Sequence, residues 1–184
     1  TGVQTCALPI YEHYSIAKIA GIKMCEAYNL QHGLEYVVVI PNNIYGPGDN
    51  YHPENSHVMA SLIRKFDAAM ENNTDVEIWG SGNQMREFVY VDDVANACIM
   101  LMNSPEIGSY NCSSEVEVTI KELANIISEV LGFTGNIMYN IEKPEGHKRK
   151  GFSCQKLKAI GWNADTDLRS GIKQSYNWYK QNIK

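Results

Sequence analysis

The sequence lacks long apolar runs, paired cysteine motifs and an excess of positive charge. No stretch approaches the ~20 apolar residues that a membrane-spanning helix needs, and no signal-peptide pattern opens the chain, so no membrane contact is predicted. The net charge of −5 provides no basic field for nucleic acid. The five cysteines are odd in number and include no Cys-x-x-Cys pair, which favours reduced thiols and a cytoplasmic location.

Several catalytic signatures are also absent from the sequence. Neither the phosphate-binding pattern GxxxxGK(S/T) nor the zinc-binding pattern HExxH occurs. The Gly80-Ser81-Gly82 turn does not continue as a dinucleotide fingerprint, because Met85 stands where a third glycine is needed and a strand is predicted to follow. His52 and His57, with Glu54 between them, have no second cluster of ligands in the sequence. We therefore predict a loop at residues 80–82 and no metal site.

A regular alternation of strand and helix patterns is present instead. Apolar residues recur at helix spacing from Ser15 to Asn29, and residues 36–40 form a β-branched run typical of a buried parallel strand. Asp92 is predicted as the N-cap of the third helix, and Thr119 begins a capping box with Glu122. The remaining predicted elements are helices at 57–72, 94–102, 120–131, 154–160 and 168–182, and strands at 76–79, 87–91 and 137–141. This alternation predicts an α/β fold.

Tyr14 and Lys18 stand four residues apart in the first predicted helix. Side chains at this spacing lie on the same face of a helix, one turn apart. A nearby ammonium favours the phenolate form of tyrosine, which makes the hydroxyl a usable proton donor and acceptor for a carbonyl or alcohol. An isolated pair of this kind is also a common chance match on a solvent-facing helix, so the neighbouring sequence has to decide between the two interpretations.

Two further segments follow the Tyr14–Lys18 pair in order, namely PNNIYGPGDNYHPENSHV at 41–58 and WGSGNQMREFVYVDDVANA at 79–97. With them, the chain resembles the extended short-chain dehydrogenase/reductase family from about Tyr14 to the C-terminus. The YxxxK and NxYGP motifs are shared across that family. The HPENSHV and WGSGxxMREF stretches are narrower, and they resemble the GDP-L-fucose synthase branch of the family.

The resemblance implies an α/β fold made of the C-terminal part of an NAD(P)-binding Rossmann fold plus a small α/β substrate-binding domain. Residues 11–56 would belong to the NADP-binding part, and residues 57–184 to a substrate-binding region with interleaved Rossmann elements. The implied activity is NADPH-dependent epimerisation and reduction of GDP-4-keto-6-deoxy-D-mannose to GDP-L-fucose by a homodimer. The alternatives are another sugar-nucleotide 4-epimerase or 4,6-dehydratase, or a non-catalytic module that binds a sugar nucleotide.

The resemblance also implies catalytic and cofactor-binding roles for particular residues. Tyr14 would protonate the C4 oxygen as NADPH delivers hydride, and Lys18 would hold the nicotinamide ribose. His57 would be one of two acid/bases that move protons at the carbons beside the ketone, which acidifies those positions through an enolate. The residues implied to border the cofactor are Tyr14, Lys18, Pro41, Asn42, Asn43, Ile44 and His57; many family members have Thr in place of Asn42.

Substrate contacts are implied at four further positions, which are Lys65, Trp79, Arg86 and Glu145. Trp79 suits the face of a base or sugar, and Arg86 suits a diphosphate through two parallel hydrogen bonds. Many family members have Arg at the position of Lys65 and Asp at that of Glu145. The basic run at 148–150 is open to two interpretations: a solvated loop, or a contact with the sugar nucleotide.

The first ten residues, TGVQTCALPI, resemble a translated sequencing adapter and are predicted to be non-native. Cys6 is therefore not expected to be the second epimerisation residue of the family. Family members begin with a βαβ half that carries the glycine-rich cofactor loop, a catalytic Ser and that Cys, and none of these has a counterpart here. We therefore expect the 184-residue chain by itself to show neither reductase activity nor measurable NADPH affinity.

Overall fold

The computed structural model describes residues 9–143 and 146–184 and shows six helices and eight strands within them. The helices are α1 (Pro9–His32), α2 (Val58–Asn72), α3 (Val91–Met102), α4 (Ile120–Leu131), α5 (Gln155–Ala159) and α6 (Leu168–Asn182). The strands are β1 (Val37–Pro41), β2 (Asn43–Tyr45), β3 (Val76–Trp79), β4 (Met85–Tyr90), β5 (Gly108–Cys112), β6 (Glu117–Thr119), β7 (Ile137–Asn140) and β8 (Arg149–Lys150). Within these residues, no helix combines the length and apolar character that crossing a membrane requires.

Most strand pairs are parallel, as the α/β prediction requires. β1 pairs with β5, β2 with β4, and β3 with β7, all in parallel. β4 also pairs with β8 in parallel and with β6 in antiparallel orientation. Paired parallel strands end at the same edge of a sheet, where ligands bind in open α/β folds. At this edge the backbone N–H of Asn42, just beyond β1, donates to the carbonyl of Cys112 at the end of β5 (3.0 Å).

The apolar core consists of two clusters that share β4. The larger cluster packs α2, α4 and α6 against the sheet, and Phe66, Ile127 and Ile172 are fully buried in it. The smaller cluster packs α3 and α5 against β1 and β5. Phe88 belongs to the first cluster and Val89 to the second, because successive strand residues point to opposite faces. β4 is therefore the element that holds the two halves of the core together.

Local sequence signals predicted several helix ends correctly. α6 has the predicted limits, and the capping box is present because Thr119 Oγ1 accepts from the Glu122 N–H (3.0 Å) and Glu122 accepts from the Thr119 N–H (2.7 Å). Gly132 ends α4 in the left-handed conformation, with φ of 75°. These ends depend on residues within one helical turn of each other, which is why the sequence alone reveals them.

Two helix beginnings differ from the prediction. α1 begins at Pro9 rather than Ser15, so its first two residues lie in the segment predicted to be non-native, while residues 1–8 lie outside the described residues. The N-cap predicted at Asp92 is wrong: Tyr90 is the N-cap of α3. β4 runs directly into α3, which moves Asp92 and Asp93 into the first turn, where the helix dipole favours negative charge.

Gly171 of α6 packs directly on the ring of Tyr45, and a side chain there would have no room. A Cβ atom at Gly171 would lie 2.1 Å from the Tyr45 hydroxyl oxygen and 2.7 Å from Cζ.

We expect Gly171→Ala to lower the free energy of unfolding by about 1–2 kcal/mol, because overpacking outweighs the gain in helix propensity. Urea unfolding measures the change. Adding Tyr45→Phe to Gly171→Ala should recover part of the lost free energy of unfolding. Asn177→Ala, at an exposed position of the same helix, should not lower the free energy of unfolding. If Gly171→Ala left the free energy of unfolding unchanged, the predicted clash would be contradicted.

Asp67 of α2 is a buried carboxylate that fastens the C-terminal helix. Its Oδ1 accepts from the Tyr176 hydroxyl (2.8 Å) and the Lys180 ammonium (3.0 Å), and its Oδ2 forms an ion pair with the Lys184 ammonium (2.9 Å). Burial by itself would raise the pKa of Asp67, but these three groups together outweigh it and leave the pKa lowered. A lowered folded pKa means that the carboxylate stabilises the fold above the unfolded pKa and loses that effect as the pH falls through the folded value.

We therefore expect Asp67→Asn to lower the free energy of unfolding by roughly 2 kcal/mol at neutral pH, where a charged acceptor is lost. The difference from wild type should shrink as the pH falls below the usual carboxylate pKa. Urea titrations at pH values on both sides of that range measure both effects. Exposed Glu71, which also faces Lys180 and Lys184, provides the control, and Glu71→Gln should cost clearly less than Asp67→Asn, because solvent screens an exposed ion pair. Equal losses in the two variants would contradict a special role for Asp67.

Candidate active site

α1 presents Tyr14 and Lys18 on one face, as their spacing predicts. The helix packs against β1 and β5, and both side chains are exposed, Tyr14 to 65%. The Lys18 ammonium lies 5.3 Å from the centre of the Tyr14 ring. This range is close enough for a cation–π contact. The pair therefore places an accessible hydroxyl and a positive charge at one surface of the helix.

The segment from Pro41 to Ile44 leaves β1 and enters β2 with its polar side chains fixed. Asn42 Nδ2 donates to Glu87 Oε2 (2.8 Å), while Asn42 Oδ1 accepts from the backbone and side chain of Asn43 (both 2.9 Å). Asn43 Nδ2 also donates to the backbone carbonyl of Glu87 (2.7 Å). The two amides thus hold this segment against β4 rather than projecting into solvent. No feature of the sequence indicated the contact with Glu87.

His57 stands at the beginning of α2 with its ring exposed. It is the N-cap residue, its side chain makes no capping hydrogen bond, and its carbonyl accepts from the Ser61 N–H (2.8 Å). Asp49, in the preceding loop, has a buried Oδ2 that accepts no hydrogen bond from the described residues. Burial raises the pKa of Asp49, while a backbone hydrogen bond at Asn50 and the field of His57 oppose the shift. His57 therefore has its ring accessible and a carboxylate within electrostatic range.

Trp79 is an exposed indole flanked by two lysines. β3 alternates buried and exposed positions, so Trp79 points outward and is 56% exposed. The ammonium groups of Lys65 and Lys143 each lie 5.5 Å from its ring. Lys65 donates to the Glu77 carbonyl (2.9 Å), and burial lowers its pKa. Lys143 was not predicted, because a lysine in a loop carries no signal of the ring that it approaches.

Arg86 of β4 is held by backbone carbonyls. Its Nη1 donates to the carbonyls of Met85 (2.7 Å) and His147 (2.8 Å). A Cβ atom built on Gly146 would lie 3.0 Å from Arg86 Nη2, so the guanidinium lies directly beside this glycine. Glu145, the other predicted substrate contact in this region, lies outside the described residues. In the basic run, the Arg149 guanidinium forms two hydrogen bonds with Glu117, of 2.6 and 2.7 Å.

The predicted residues form two groups. Tyr14 and Lys18 lie on the helix that packs beside β1, whereas Lys65 and Trp79 meet at β3. Among the described residues, no hydrogen bond or ring contact joins the α1 pair to His57 or Trp79. Within residues 9–143 and 146–184, no three His, Cys, Asp or Glu side chains come together in a way that could hold a metal ion. The parallel strand pairs are those of an α/β fold of the nucleotide-binding type.

Comparison with known families supports this class. Residues 3–113 match the family model described as the NAD dependent epimerase/dehydratase family. That match covers more than half of the 184 residues. The chain therefore belongs to the NAD dependent epimerase/dehydratase family.

Relatives of known identity narrow the comparison. The chain is 46% identical over 177 residues to GDP-L-fucose synthase 1 of Arabidopsis thaliana, covering 95% of this chain and 55% of that protein. It is 43% identical over 185 residues to GDP-L-fucose synthase of Escherichia coli (strain K12), covering 95% and 58%. The crystal structure of a GDP-L-fucose synthetase from Naegleria fowleri bound to NADP is similar, with a TM-score of 0.85, 29% identity and coverage of 92% and 56%. The chain thus spans little more than half the length of these relatives.

Proposed function

We propose that this chain carries the acid/base and substrate-binding part of an NADPH-dependent enzyme that converts GDP-4-keto-6-deoxy-D-mannose to GDP-L-fucose in the cytoplasm. The observation that carries the proposal is the exposed Tyr14 hydroxyl with the Lys18 ammonium beside its ring. Relatives that share 43–46% of its residues are GDP-L-fucose synthases. Because the chain spans little more than half of their length, the whole activity requires the remaining part as well.

The chemistry assigned to this chain is proton transfer and orientation. NADPH, when bound, supplies hydride to the C4 ketone. Tyr14 gives the proton that the developing alkoxide at C4 requires, and Lys18 favours the phenolate that remains. The fixed amides of Asn42 and Asn43 form a rigid border for the nicotinamide side of the cofactor. His57 is one of two acid/base groups that move protons at the carbons beside the ketone. Inversion requires that the proton removed from one face of the enolate is replaced on the other, so a second acid/base group acts opposite His57, and no oxidation is involved.

The substrate end of the proposed site is the Trp79 surface. An exposed indole stacks on a base or sugar, and the flanking Lys65 and Lys143 supply positive charge for a diphosphate. Arg86 and Glu145 complete the proposed contacts. A GDP-sugar satisfies this combination of a flat aromatic base and two adjacent negative charges, which is why it is the substrate class proposed.

A homodimer through α1 is also part of the proposal. Ile16, Met24 and Leu30 are large exposed apolar side chains along this helix. Ile16 lies about 200° around the helix from Tyr14, so a partner could cover it without covering the acid/base pair. Exposed apolar surface of this kind is typical of a protein contact. Light scattering measures the molar mass of wild type and of Met24→Glu. Wild type should be a dimer and Met24→Glu a monomer, and a monomeric wild type would contradict the proposed homodimer.

The activity is tested in a fusion protein, called the fusion below, that places residues 11–184 behind the part of the Escherichia coli relative that its match leaves uncovered. We expect the fusion to oxidise NADPH with the GDP-keto sugar and to form GDP-L-fucose, identified by NMR. A 4-epimerase would instead interconvert hexoses without net consumption of NADPH, and a non-catalytic module would bind GDP-sugar without turnover. Either result would overturn the proposal.

Binding of GDP to the 184-residue chain should be detectable by tryptophan fluorescence. We expect GDP to quench the indole of Trp79, because the ligand stacks on an exposed ring, and Trp79→Phe to remove the change. Trp178, which stacks on Tyr51 and packs against the larger apolar cluster, provides the control, and Trp178→Phe should keep the response. Lys65→Gln should weaken binding by roughly tenfold through the lost charge. An unchanged signal in Trp79→Phe would place the nucleotide elsewhere.

A further inference from the structure

Glu87 of β4 is a buried carboxylate with no role in the chemistry described so far. It is only 4% exposed, and its described hydrogen-bond partners are neutral groups. An ionised carboxylate inside a protein is costly unless hydrogen bonds satisfy it. Glu87 has several such donors. The segments that supply them indicate what its carboxylate does.

The donors to Glu87 come from three segments that follow strands. Oε2 accepts from Asn42 Nδ2 beyond β1 (2.8 Å), from the Ser113 hydroxyl beyond β5, and from the Phe152 backbone N–H beyond β8 (3.2 Å). The Glu87 backbone carbonyl accepts a fourth bond, from Asn43 Nδ2 (2.7 Å). One residue therefore ties together three loops that the chain order separates widely.

Glu87 and its neighbour Arg86 face opposite sides of β4. Neighbouring strand residues point to opposite faces, so Glu87 faces the Asn42 side while Arg86 faces His147 and Gly146. In the proposed function the Asn42 side borders the cofactor and Arg86 contacts the substrate. β4 thus lies between the two ligands, with one contact residue for each side at consecutive positions.

We propose that Glu87 is a positioning residue that fixes the cofactor-side segment 41–44 relative to the substrate-side strand β4. The assignment of the two ligands rests on the proposed function, whereas the locking of the segment does not. Hydride transfer requires reacting atoms about 3–3.5 Å apart, and a displacement of ~1 Å can cost ~10²-fold in rate. Glu87 touches neither reacting atom and acts through Asn42, Asn43 and the loop at Phe152.

A carboxylate suits this role because a single oxygen accepts three bonds. Its second oxygen, Oε1, lies near Gly151, as does Glu117 Oε1: a Cβ atom on Gly151 would be 2.7 and 3.0 Å from these two oxygens. In Glu87→Gln the amide oxygen can keep the three donors, and the NH₂ group takes the place of Oε1. Glu87→Leu fills the space but leaves the three donors to Oε2 unsatisfied. The two variants therefore separate hydrogen bonding from packing.

The first test uses hydrogen exchange in the 184-residue chain, which needs no cofactor. Glu87→Leu should raise the exchange rates of the amides at 42–44 and at Phe152 at least tenfold, and Glu87→Gln should stay within threefold of wild type. Asn42→Ala, a milder change at a half-buried position, should raise exchange at 42–44 only. Ile127→Val, a substitution in the larger apolar cluster, is the control for general destabilisation. The same exchange pattern in Ile127→Val and Glu87→Leu would reduce Glu87 to an ordinary structural residue.

The second test measures steady-state kinetics in the fusion. Glu87→Leu should raise the KM for NADPH and lower kcat at least tenfold each, leave GDP affinity within twofold, and be rescued by Glu87→Gln. Asn42→Ala combined with Glu87→Leu should be no worse than Glu87→Leu alone, because both break the same link. Additive losses, or equal losses in NADPH and GDP affinity, would overturn the positioning role. A fusion that binds no NADPH would overturn the proposed function, while the exchange result would still decide the locking of the segment.

Discussion

Tyr14→Phe is expected to reduce ketone reduction in the fusion by about 10²–10⁴-fold, the usual contribution of a positioned general acid. The substitution removes only the hydroxyl. The ring remains beside the Lys18 ammonium, which lies 5.3 Å from its centre, so the helix surface keeps its shape. Because Tyr14 is exposed on α1 while Trp79 lies on β3, GDP affinity should not change. Single-turnover oxidation of NADPH in the presence of the keto sugar measures the chemical step directly.

The matched control for Tyr14 is another exposed tyrosine of the same helix. Tyr28 is 45% exposed and packs on His32 and Tyr36, away from the Tyr14–Lys18 pair. Tyr28→Phe should leave the rate unchanged. Lys18→Met should lower the rate less than Tyr14→Phe, because the proton donor remains and only its electrostatic support is lost. Reduction at near wild-type rate in Tyr14→Phe would remove this hydroxyl from the mechanism.

The sequence predicted the elements whose signals are local and long. α2 and α6 carry apolar residues at helix spacing over 15 residues each, and their limits agree with the structure within one residue. Four short strands were not predicted: β2, β5, β6 and β8. β5 reads Gly-Ser-Tyr-Asn-Cys, without a β-branched residue, and is a strand because β1 lies parallel beside it. Such strands are products of the tertiary fold, so no local pattern reveals them.

The same distinction applies to the candidate site. The Tyr14–Lys18 pair depends only on helix geometry, and the structure places the two side chains together. The Trp79 surface required the approach of two lysines, of which the family resemblance indicated Lys65 but not Lys143. The network around Glu87 joins residues up to 65 positions apart, a separation that no local spacing rule covers. Sequence reasoning thus identifies groups that act within one element and misses those assembled from several.

His57→Asn is expected to separate epimerisation from reduction. Imidazole is the side chain that most readily exchanges protons near neutral pH, and the ring of His57 is exposed and makes no capping hydrogen bond. Asparagine is a good N-cap, so α2 should keep its beginning. In D₂O, deuterium uptake at the carbons beside the ketone should fall by about 10²–10⁴-fold. Ketone reduction, which depends on Tyr14, should continue.

Mass spectrometry of the recovered GDP-sugar measures deuterium uptake, and NADPH oxidation in the same samples measures reduction. His52 provides the control, because it is an exposed histidine of the same loop whose Nδ1 accepts from the backbone N–H of Glu54 (3.2 Å). His52→Asn should leave both rates unchanged, since this ring serves the loop rather than a substrate. If uptake at both carbons were unchanged in His57→Asn, this ring would be a structural or cofactor contact. Proton transfer beside the ketone would then belong to another residue.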